Sequence, residues 1–319
     1  MVYILFIIGF YILIKGADLL VSGASSIALK FKIPAIVVGL TIVAFGTSTP
    51  ELAVNMFSAL DGKTDLAIGN ILGSNIANIL LILGISAIIY PLKAQSSTVF
   101  KEIPFALLGV VLLLIMANDV LIDSSALNVL SRIDGLVFLG IFLIFLVYIF
   151  SIAKSQGHVD GEEDIKEMAL WKSIIFIIIG LTGLTLGGKW IVDGAVEIAK
   201  GFGLSEAVIG LTVVAIGTSL PELATSVVAA MKKQTDIAIG NIVGSNIFNV
   251  FWILGLTATI SPLPFNTSSN IDVIMSIFAT FVLFFVMFLG KKYTIERWQG
   301  IIMIIMYFFY ISYLVLSNI

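Results

Sequence analysis

The sequence predicts an all-α membrane protein in which ten transmembrane helices form two inverted five-helix repeats. Three observations lead to this fold class. The first is composition: 59% of the 319 residues are hydrophobic, 12% are charged and the mean hydropathy is +1.14, whereas a soluble domain carries about 25% charged residues. The second is a series of apolar segments, and the third is an internal duplication.

Ten apolar segments are long enough to cross, as helices, the roughly 30 Å hydrocarbon core of a bilayer. One long polar stretch, residues 154–171, separates the first five segments from the last five. The sequence therefore predicts a first half at 1–153, a connecting loop at 154–171 and a second half at 172–319. The predicted segments are 2–22, 34–59, 66–90, 100–117, 133–153, 172–192, 206–230, 237–260, 271–290 and 298–317.

The duplication lies in the second and third segments of each half. Residues 39–91 align without a gap with residues 210–262 at a constant offset of 171, and 31 of the 53 aligned positions are identical. A unit of five helices is therefore predicted to occur twice. Because five is an odd number, the second unit must cross the membrane in the opposite direction. Inverted repeats with a site near the midplane are typical of secondary transporters.

The distribution of basic residues predicts the orientation in the membrane. With the N-terminus outside, twelve of the lysines and arginines fall in inward connections and four in outward ones. Since positive charge concentrates on the cytoplasmic side, both termini are expected outside and the central loop inside. The first segment lacks a basic leading region and is expected to be a retained helix. The expected location is a prokaryotic plasma membrane.

Several function classes are excluded by composition. The chain has no cysteine, which removes disulfides, iron–sulfur clusters and thiolate metal sites. Its single histidine, His158, lies in the polar loop, so catalysis by an embedded histidine is excluded. The net charge of −3 includes no basic block suited to nucleic acid. An enzyme is not expected, and neither is a cofactor.

The first duplicated motif is Gly-Thr-Ser-x-Pro-Glu, which ends at Glu51 and at Glu222. Glycine and proline predict a broken helix, which would leave carbonyls unpaired around Ala44 and Ala215. A carboxylate, hydroxyls and carbonyls are the hard oxygen ligands of Ca²⁺ and Na⁺. The alternative is a structural kink whose glutamate bonds to a neighbouring helix. It is disfavoured because a charge at the bilayer centre costs at least about 2.5–3.5 kcal/mol.

The second motif, Gly-Asn-Ile-x-Gly-Ser-Asn-Ile-x-Asn, predicts a polar helix face. Its members lie four residues apart on one side of a helix. Serine and asparagine can also act only as hydrogen-bonding glue between membrane helices, and this alternative stays open. Asn75 and Asn246 point off the face, and helix contacts are expected for them. The two faces consist of Asn70, Ser74 and Asn78 and of Asn241, Ser245 and Asn249.

At these two motifs the chain resembles the cation/Ca²⁺ exchanger superfamily, in particular its Na⁺/Ca²⁺ exchanger branch with prokaryotic members. The resemblance implies that Glu51 and Glu222 are shared Ca²⁺ and Na⁺ ligands. It implies that Thr47 and Thr218 contribute backbone carbonyls to Ca²⁺, and that Asn78 and Asn249 face the centre. An acid at the position of Asn249 is associated with K⁺ co-transport in one branch, so asparagine argues against K⁺ dependence. The implied Na⁺ ligands are Ser48, Ser219, Ser74, Ser245 and the carbonyls of Ala44 and Ala215.

The expected function is antiport of Na⁺ and Ca²⁺ across the lipid bilayer by alternating access, with the first and sixth helices sliding against the repeat core. The nearest alternative is a Ca²⁺/H⁺ antiporter, in which protons replace Na⁺ at the glutamates; a K⁺-dependent Na⁺/Ca²⁺ exchanger is a variant. Hydroxyl-rich flanking positions favour Na⁺, because protons need no such ligands. A cation channel with a two-glutamate filter belongs to a different class and conflicts with a pseudo-twofold axis in the membrane plane. A membrane-embedded hydrolase lacks a nucleophile-activating set.

Overall fold

A computed structural model describes residues 2–122, 127–155, 167–201 and 215–317. Within these ranges the chain consists of helices, four two-residue strands and the short turns and loops between them. Turns of π-helix occur inside α2, α4, α5 and α11. The helices are α1 (Val2–Phe31), α2 (Ala35–Thr47), α3 (Thr49–Leu60), α4 (Thr64–Ile89), α5 (Thr98–Met116), α6 (Asp119–Ile122), α7 (Arg132–Ser155), α8 (Leu170–Gly201), α9 (Ala215–Thr218), α10 (Leu220–Met231), α11 (Thr235–Ile260), α12 (Thr267–Val286) and α13 (Arg297–Ser317).

The described residues form a helical membrane protein. Eight helices are long and apolar enough to cross a membrane, and the bent pair α2–α3 makes a ninth span. The predicted segment 206–230 lies partly outside the described residues; its described part contains α10, a shorter apolar helix. His158 and most of the predicted loop also lie outside them.

Helices α1 and α8 continue well beyond the predicted ends at residues 22 and 192. Hydropathy falls in the added turns because those of α1 carry serines and those of α8 carry charged residues. In α1 these residues are buried against other helices: Ser26 accepts a hydrogen bond from the Ser173 hydroxyl at 2.9 Å, and Ser25 donates to the Gln234 side chain at 2.8 Å. Satisfied hydroxyls let the helix continue where an average of hydropathy predicts an end.

The two long helices α1 and α8 pack antiparallel through glycine. Gly9 and Gly16 of α1 meet Gly187 and Gly180 of α8, respectively. A Cβ atom added to Gly16 would lie 2.8 Å from the Gly180 carbonyl oxygen, and one added to Gly187 would lie 2.8 Å from that of Gly9. The two backbones are therefore in direct contact, as small residues permit between membrane helices.

The centre of the molecule consists of α4 and α11, the helices that carry the second motif. Their most apolar windows are 78% and 94% buried, against 22–39% for the other spans. Helix α2 packs directly on α11: a Cβ at Gly39 would lie 3.1 Å from Gly240, and one at Gly244 would lie 2.9 Å from Leu40. Close glycine contacts thus bring the two copies of the duplicated sequence together.

Four short strands join the two halves of the chain. They are β1 (Leu92–Lys93), β2 (Val129–Leu130), β3 (Leu263–Pro264) and β4 (Thr294–Ile295). Strand β1 pairs antiparallel with β4, and β2 pairs antiparallel with β3. Strands β1 and β3 occupy aligned positions after the repeat, so each half contributes the same strand to a sheet with the other half.

Candidate cation-binding site

The first motif interrupts a helix in both halves, as predicted. Helix α2 ends at Thr47, α3 begins at Thr49, and their axes differ by 45°. The intervening Ser48 has φ −83° and ψ 8°, and its counterpart Ser219 has φ −86° and ψ 5°. Each following helix has proline in its first turn, where a missing N–H costs no helical hydrogen bond. The duplicated peptide therefore adopts the same break twice.

The expectation of unpaired carbonyls at this break is wrong for Ala44. Its oxygen accepts the Ser48 amide at 3.0 Å and the Thr47 hydroxyl at 3.3 Å. The turn at Ser48 is shallow enough to retain a helical i to i−4 bond, so the carbonyl keeps a partner. In the second copy, the Ser219 amide bonds to Ile216 at 3.1 Å rather than to Ala215.

Both glutamates are buried in the first turn of the helix that follows the break. Glu51 and Glu222 are each 1% exposed. Each directs its Oε1 atom toward hydroxyls from both copies of the repeat. Glu222 Oε1 accepts from Ser48 at 3.0 Å and from Ser245 at 3.4 Å. The two copies are thus joined through their carboxylates.

Glu51 Oε1 has the equivalent partners at longer distances. Ser219 and Ser74 both lie 3.5 Å from it, and their hydroxyls are 3.2 Å apart. Contacts of this length are weak hydrogen bonds. The predicted serines therefore all surround the two carboxylates, and the first carboxylate is held more loosely than the second.

Four buried acceptor oxygens of the site have no hydrogen-bond partner among the described residues. They are Oε2 of Glu51, Oε2 of Glu222, Oδ1 of Asn78 and Oδ1 of Asn249. A buried unsatisfied polar atom costs about 1–3 kcal/mol. The four atoms form two pairs related by the offset of 171, so the lack of hydrogen-bond donors is common to both copies of the repeat. Acceptors without donors are suited to a cation.

Within the described residues, no basic side chain forms an ion pair with either of the two glutamates, Glu51 and Glu222. In the same part of the chain, no three histidine, cysteine or acidic side chains converge. A cation at this site would be ligated by two carboxylates and otherwise by neutral oxygens.

Four asparagines form a reciprocal bridge between α4 and α11. Asn78 donates to Asn246 Oδ1 and Asn249 donates to Asn75 Oδ1, both at 2.9 Å. Asn246 also donates to the Asn75 carbonyl at 3.2 Å. The predicted helix contacts of Asn75 and Asn246 are therefore confirmed. Asn78 and Asn249 lie one helical turn beyond Ser74 and Ser245, with their free oxygens available.

The threonines of the first motif bond to asparagines of the opposite copy. The Thr47 hydroxyl donates to Asn241 Oδ1 at 3.0 Å, and that of Thr218 donates to Asn70 Oδ1 at 3.2 Å. Asn241 also donates to Ser226 at 3.0 Å and lies 3.4 Å from the Glu222 carbonyl. Asn70 and Asn241 thus hold the broken helices against the central ones.

Sequence reasoning missed one pair of supporting residues. Asn55 donates to the Ala67 carbonyl at 2.7 Å, and Ser226 lies 3.4 Å from the equivalent Ala238 carbonyl. Both tie the half-helix with the glutamate to the adjacent central helix. Their side chains differ between the copies, so a search for identical duplicated residues passes over them.

The chain is similar to known proteins over almost its whole length. The family model described as sodium/calcium exchanger protein matches residues 1–151 and 172–316. The chain is 38% identical over 320 residues to the putative antiporter CaxA of Alkalimonas amylolytica, covering 98% of each protein. It is 31% identical over 344 residues to the sodium/calcium exchanger MaX1 of Methanosarcina acetivorans, covering 98% of this chain and 97% of MaX1.

The fold has also been solved in a relative. A structure of the sodium-calcium exchanger NCX_Mj soaked with 10 mM Na⁺ and 10 mM Sr²⁺ superposes with a TM-score of 0.83 at 32% identity. The superposition covers 98% of this chain and 97% of that one. The likeness therefore extends over both halves of this chain.

Proposed function

This chain belongs to the sodium/calcium exchanger protein family, and we propose that it exchanges Na⁺ for Ca²⁺ across a membrane through one site formed by both repeats. Its relatives carry the names of antiporters and sodium/calcium exchangers. The observation that supports the proposal most strongly is the set of four unpartnered, buried oxygens around Glu51 and Glu222. They are acceptors on and beside two glutamates that form no ion pair with a described basic side chain.

In this proposal the two glutamates are the ligands common to both ions. Their free Oε2 atoms bind Ca²⁺ together with the backbone carbonyls of Thr47 and Thr218, since Ca²⁺ takes six to eight oxygens. Na⁺ uses the same carboxylates with added neutral ligands, and Asn78 and Asn249 face the centre with their free Oδ1 atoms. The added Na⁺ ligands are Ser48, Ser219, Ser74, Ser245 and the carbonyls of Ala44 and Ala215.

The carbonyl of Ala44 can serve Na⁺ only after a local rearrangement. Its two acceptor positions hold the Ser48 amide and the Thr47 hydroxyl. Rotation of the Thr47 side chain releases one position, because that contact, at 3.3 Å, is the longer of the two. Na⁺ binding at Ala44 is therefore coupled to the Thr47–Asn241 bond between the two repeats.

Competition for the carboxylates makes the exchange obligatory. Two glutamates supply a charge of −2, which one Ca²⁺ neutralises, and Na⁺ ions cannot share those oxygens while Ca²⁺ is bound. An empty site leaves two uncompensated charges in a low-dielectric interior, which opposes reorientation. The carrier therefore changes sides loaded with one ion species or the other.

We place this site between two inverted five-helix units, residues 1–153 and 172–319, joined by a cytoplasmic loop at 154–171. Support comes from the equal helix breaks, the mutual strand pairing and the aligned repeats at 39–91 and 210–262. Both termini then face outward from the plasma membrane. The glycine contact between α1 and α8 supports movement of this pair as a unit against the central helices.

The test is radioactive Ca²⁺ uptake into proteoliposomes loaded with Na⁺ or with choline at equal pH. Uptake that requires internal Na⁺ supports the proposal. Uptake driven by a pH gradient and indifferent to Na⁺ identifies a Ca²⁺/H⁺ antiporter. A requirement for K⁺ beside Ca²⁺ identifies the K⁺-dependent variant, and flux without any counter-cation identifies a channel.

A further inference from the structure

An ion pair outside the cation site ties α1 to the turn between α10 and α11. Lys232 Nζ lies 2.6 Å from Asp18 Oδ1, and it also donates to the Ser22 hydroxyl at 2.7 Å and to the Asp18 carbonyl at 3.2 Å. The two side chains are 30% and 43% exposed. This pair therefore connects a long outer helix to the end of a central hairpin.

The aligned positions in the other half carry the opposite charges. At the offset of 171, Asp18 corresponds to Lys189 of α8, and Lys232 corresponds to Asp61 of the turn between α3 and α4. Both members of the pair differ between the halves, and they differ together, so the charges remain complementary. Independent drift at either position would have left like charges or a lone charge.

The structure supports this register in both elements. The two turns have the same backbone: Lys63 bonds to Ser58 and Gln234 to Ala229 at 2.8 Å, and Gly62 and Lys233 both have positive φ, +74° and +60°. In the outer helices, Gly9 and Gly16 of α1 correspond at the same offset to Gly180 and Gly187 of α8, and each of them meets the equivalent of the other. Asp61 and Lys189 are therefore equivalents of Lys232 and Asp18 in three dimensions.

Only one of the two charge pairs is closed. Asp61 lies 3.7 Å from its neighbour Lys63, and both side chains are about two-thirds exposed (66% and 65%). Within the described residues, Lys189 is exposed and forms no ion pair with Asp61. The two turns have the same backbone, but among the described residues only the turn at 232–234 forms an ion pair with its outer helix.

We infer that Asp18–Lys232 and Lys189–Asp61 are alternating ionic latches, each closed in one of the two end states of the transport cycle. This inference rests on the proposed antiport function. The two halves would exchange conformations when the carrier changes sides. Helix α8 would then contact the turn at 61–63 in the way that α1 now contacts the turn at 232–234. Lys189 then meets Asp61, and Asp18 leaves Lys232.

The neighbouring residues fit the second latch. Ser22, which bonds Lys232, corresponds to Asp193, and Gln234, which bonds Ser25, corresponds to Lys63. Asp193 lies one helical turn after Lys189 on the same face. Since Ser22 contacts Lys232, the exchanged position brings Asp193 toward Asp61, and Lys63, which lies 3.7 Å from Asp61, supplies a second positive charge beside the two acids. The predicted topology places the closed latch on the cytoplasmic side and the open one outside.

Disulfide cross-linking tests the alternation, because the natural chain has no cysteine. The pairs Asp18→Cys with Lys232→Cys and Asp61→Cys with Lys189→Cys are made in chains with a protease site in the central polar loop. Each pair spans that loop, so a cross-link keeps the cleaved halves together on a non-reducing gel. The control is Ser26→Cys with Ser173→Cys, whose hydroxyls are 2.9 Å apart across α1 and α8, helices that move together.

Both latch pairs are expected to cross-link in membranes treated with a lipophilic oxidant. Either cross-link should lower Na⁺-driven Ca²⁺ uptake at least tenfold, with recovery on reduction, while the control pair cross-links and retains uptake. Failure of Asp61→Cys with Lys189→Cys to cross-link, in protein whose single cysteines react with a maleimide, would overturn the inference. Full uptake with either latch locked would overturn it too.

Charge variants provide a second measurement, in which the charges of the open latch are changed and the cysteine pair at the closed latch reports the effect. Asp61→Asn and Lys189→Gln should each raise cross-linking of the Asp18/Lys232 cysteine pair about 1.4- to fivefold, the ratio that corresponds to an exposed ion pair of roughly 0.2–1 kcal/mol. The double variant Asp61→Lys with Lys189→Asp should keep the natural ratio; single variants that also leave the ratio unchanged would contradict the inference. If the natural chain shows no Na⁺-driven uptake, the proposed function fails, and the gel still reports whether both latches close.

Discussion

The central network around the two glutamates is held by polar side chains, whereas the contact between α1 and α8 is formed by glycines. In the network, polar side chains from both repeats cross-bond at the centre of the most buried helices, α4 and α11. Between α1 and α8, glycines bring bare backbones into contact across helices that are only 33% and 28% buried in their apolar windows. Directional hydrogen bonds fix the positions of the side chains in the network, whereas contact between glycine backbones is not directional. The core is suited to hold ions and the outer pair to move.

Removing one carboxylate should have the largest effect on ion binding, because it alters the central network and leaves the contact between α1 and α8 intact. Glu51→Gln and Glu222→Gln are each expected to weaken Ca²⁺ binding by about 10- to 100-fold, as loss of an interaction of roughly 1.5–3 kcal/mol with a charged group requires. Ca²⁺ uptake into proteoliposomes measures the effect. The matched control is Asp65→Asn, an exposed acid of the same repeat, and equal losses in the control and the two variants would refute a special role for the pair.

The second largest effect is expected when α1 and α8 are forced apart. Gly16→Val places atoms against the Gly180 backbone, since even a Cβ would lie 2.8 Å from its oxygen. We expect a loss of about 1–3 kcal/mol in stability, typical of overpacking, together with slower exchange. Thermal unfolding and uptake give the two readings. Gly140→Ala in α7, where a Cβ meets nothing within 4 Å, is the control; a Gly16→Val protein as stable and active as that control would show that the backbones are not in contact.

The smallest effect sharpens the comparison inside the core. Ser48 bonds to Glu222 at 3.0 Å, whereas Ser219 lies 3.5 Å from Glu51. Ser48→Ala should therefore raise the Na⁺ concentration for half-maximal exchange more than Ser219→Ala does, by about two- to tenfold for a bond of roughly 0.5–1.5 kcal/mol. Na⁺ titrations of Ca²⁺ uptake compare the two variants. Equal shifts would mean that the two carboxylates are held alike.

The sequence predicted the broken helices because glycine and proline act locally and because the motif occurs twice. It also predicted which residues would meet at the centre, since duplication at a constant offset marks them. It could not predict the ends of α1 and α8. Those depend on distant partners such as Ser173, which bonds to Ser26 across 147 positions of the chain.

Two further features depended on partners that no local pattern contains. The Ala44 carbonyl was expected to be bare, but the angle of the break decides whether the Ser48 amide still reaches it. Asn70 and Asn241 could equally have been ligands or glue. Only the packing of α9 against α4 and of α2 against α11 shows that they accept bonds from threonines of the other copy.

The central claim is that Na⁺ and Ca²⁺ compete for one pair of glutamates. Isothermal titration of the purified protein with Ca²⁺ at increasing Na⁺, alongside Glu51→Gln and Glu222→Gln, tests it most directly. We predict one Ca²⁺ per chain, an apparent affinity that falls as Na⁺ rises, and binding weakened about 10- to 100-fold in each variant. Ca²⁺ binding that is unaffected by Na⁺, or that is as tight in both variants as in the natural chain, would contradict the account.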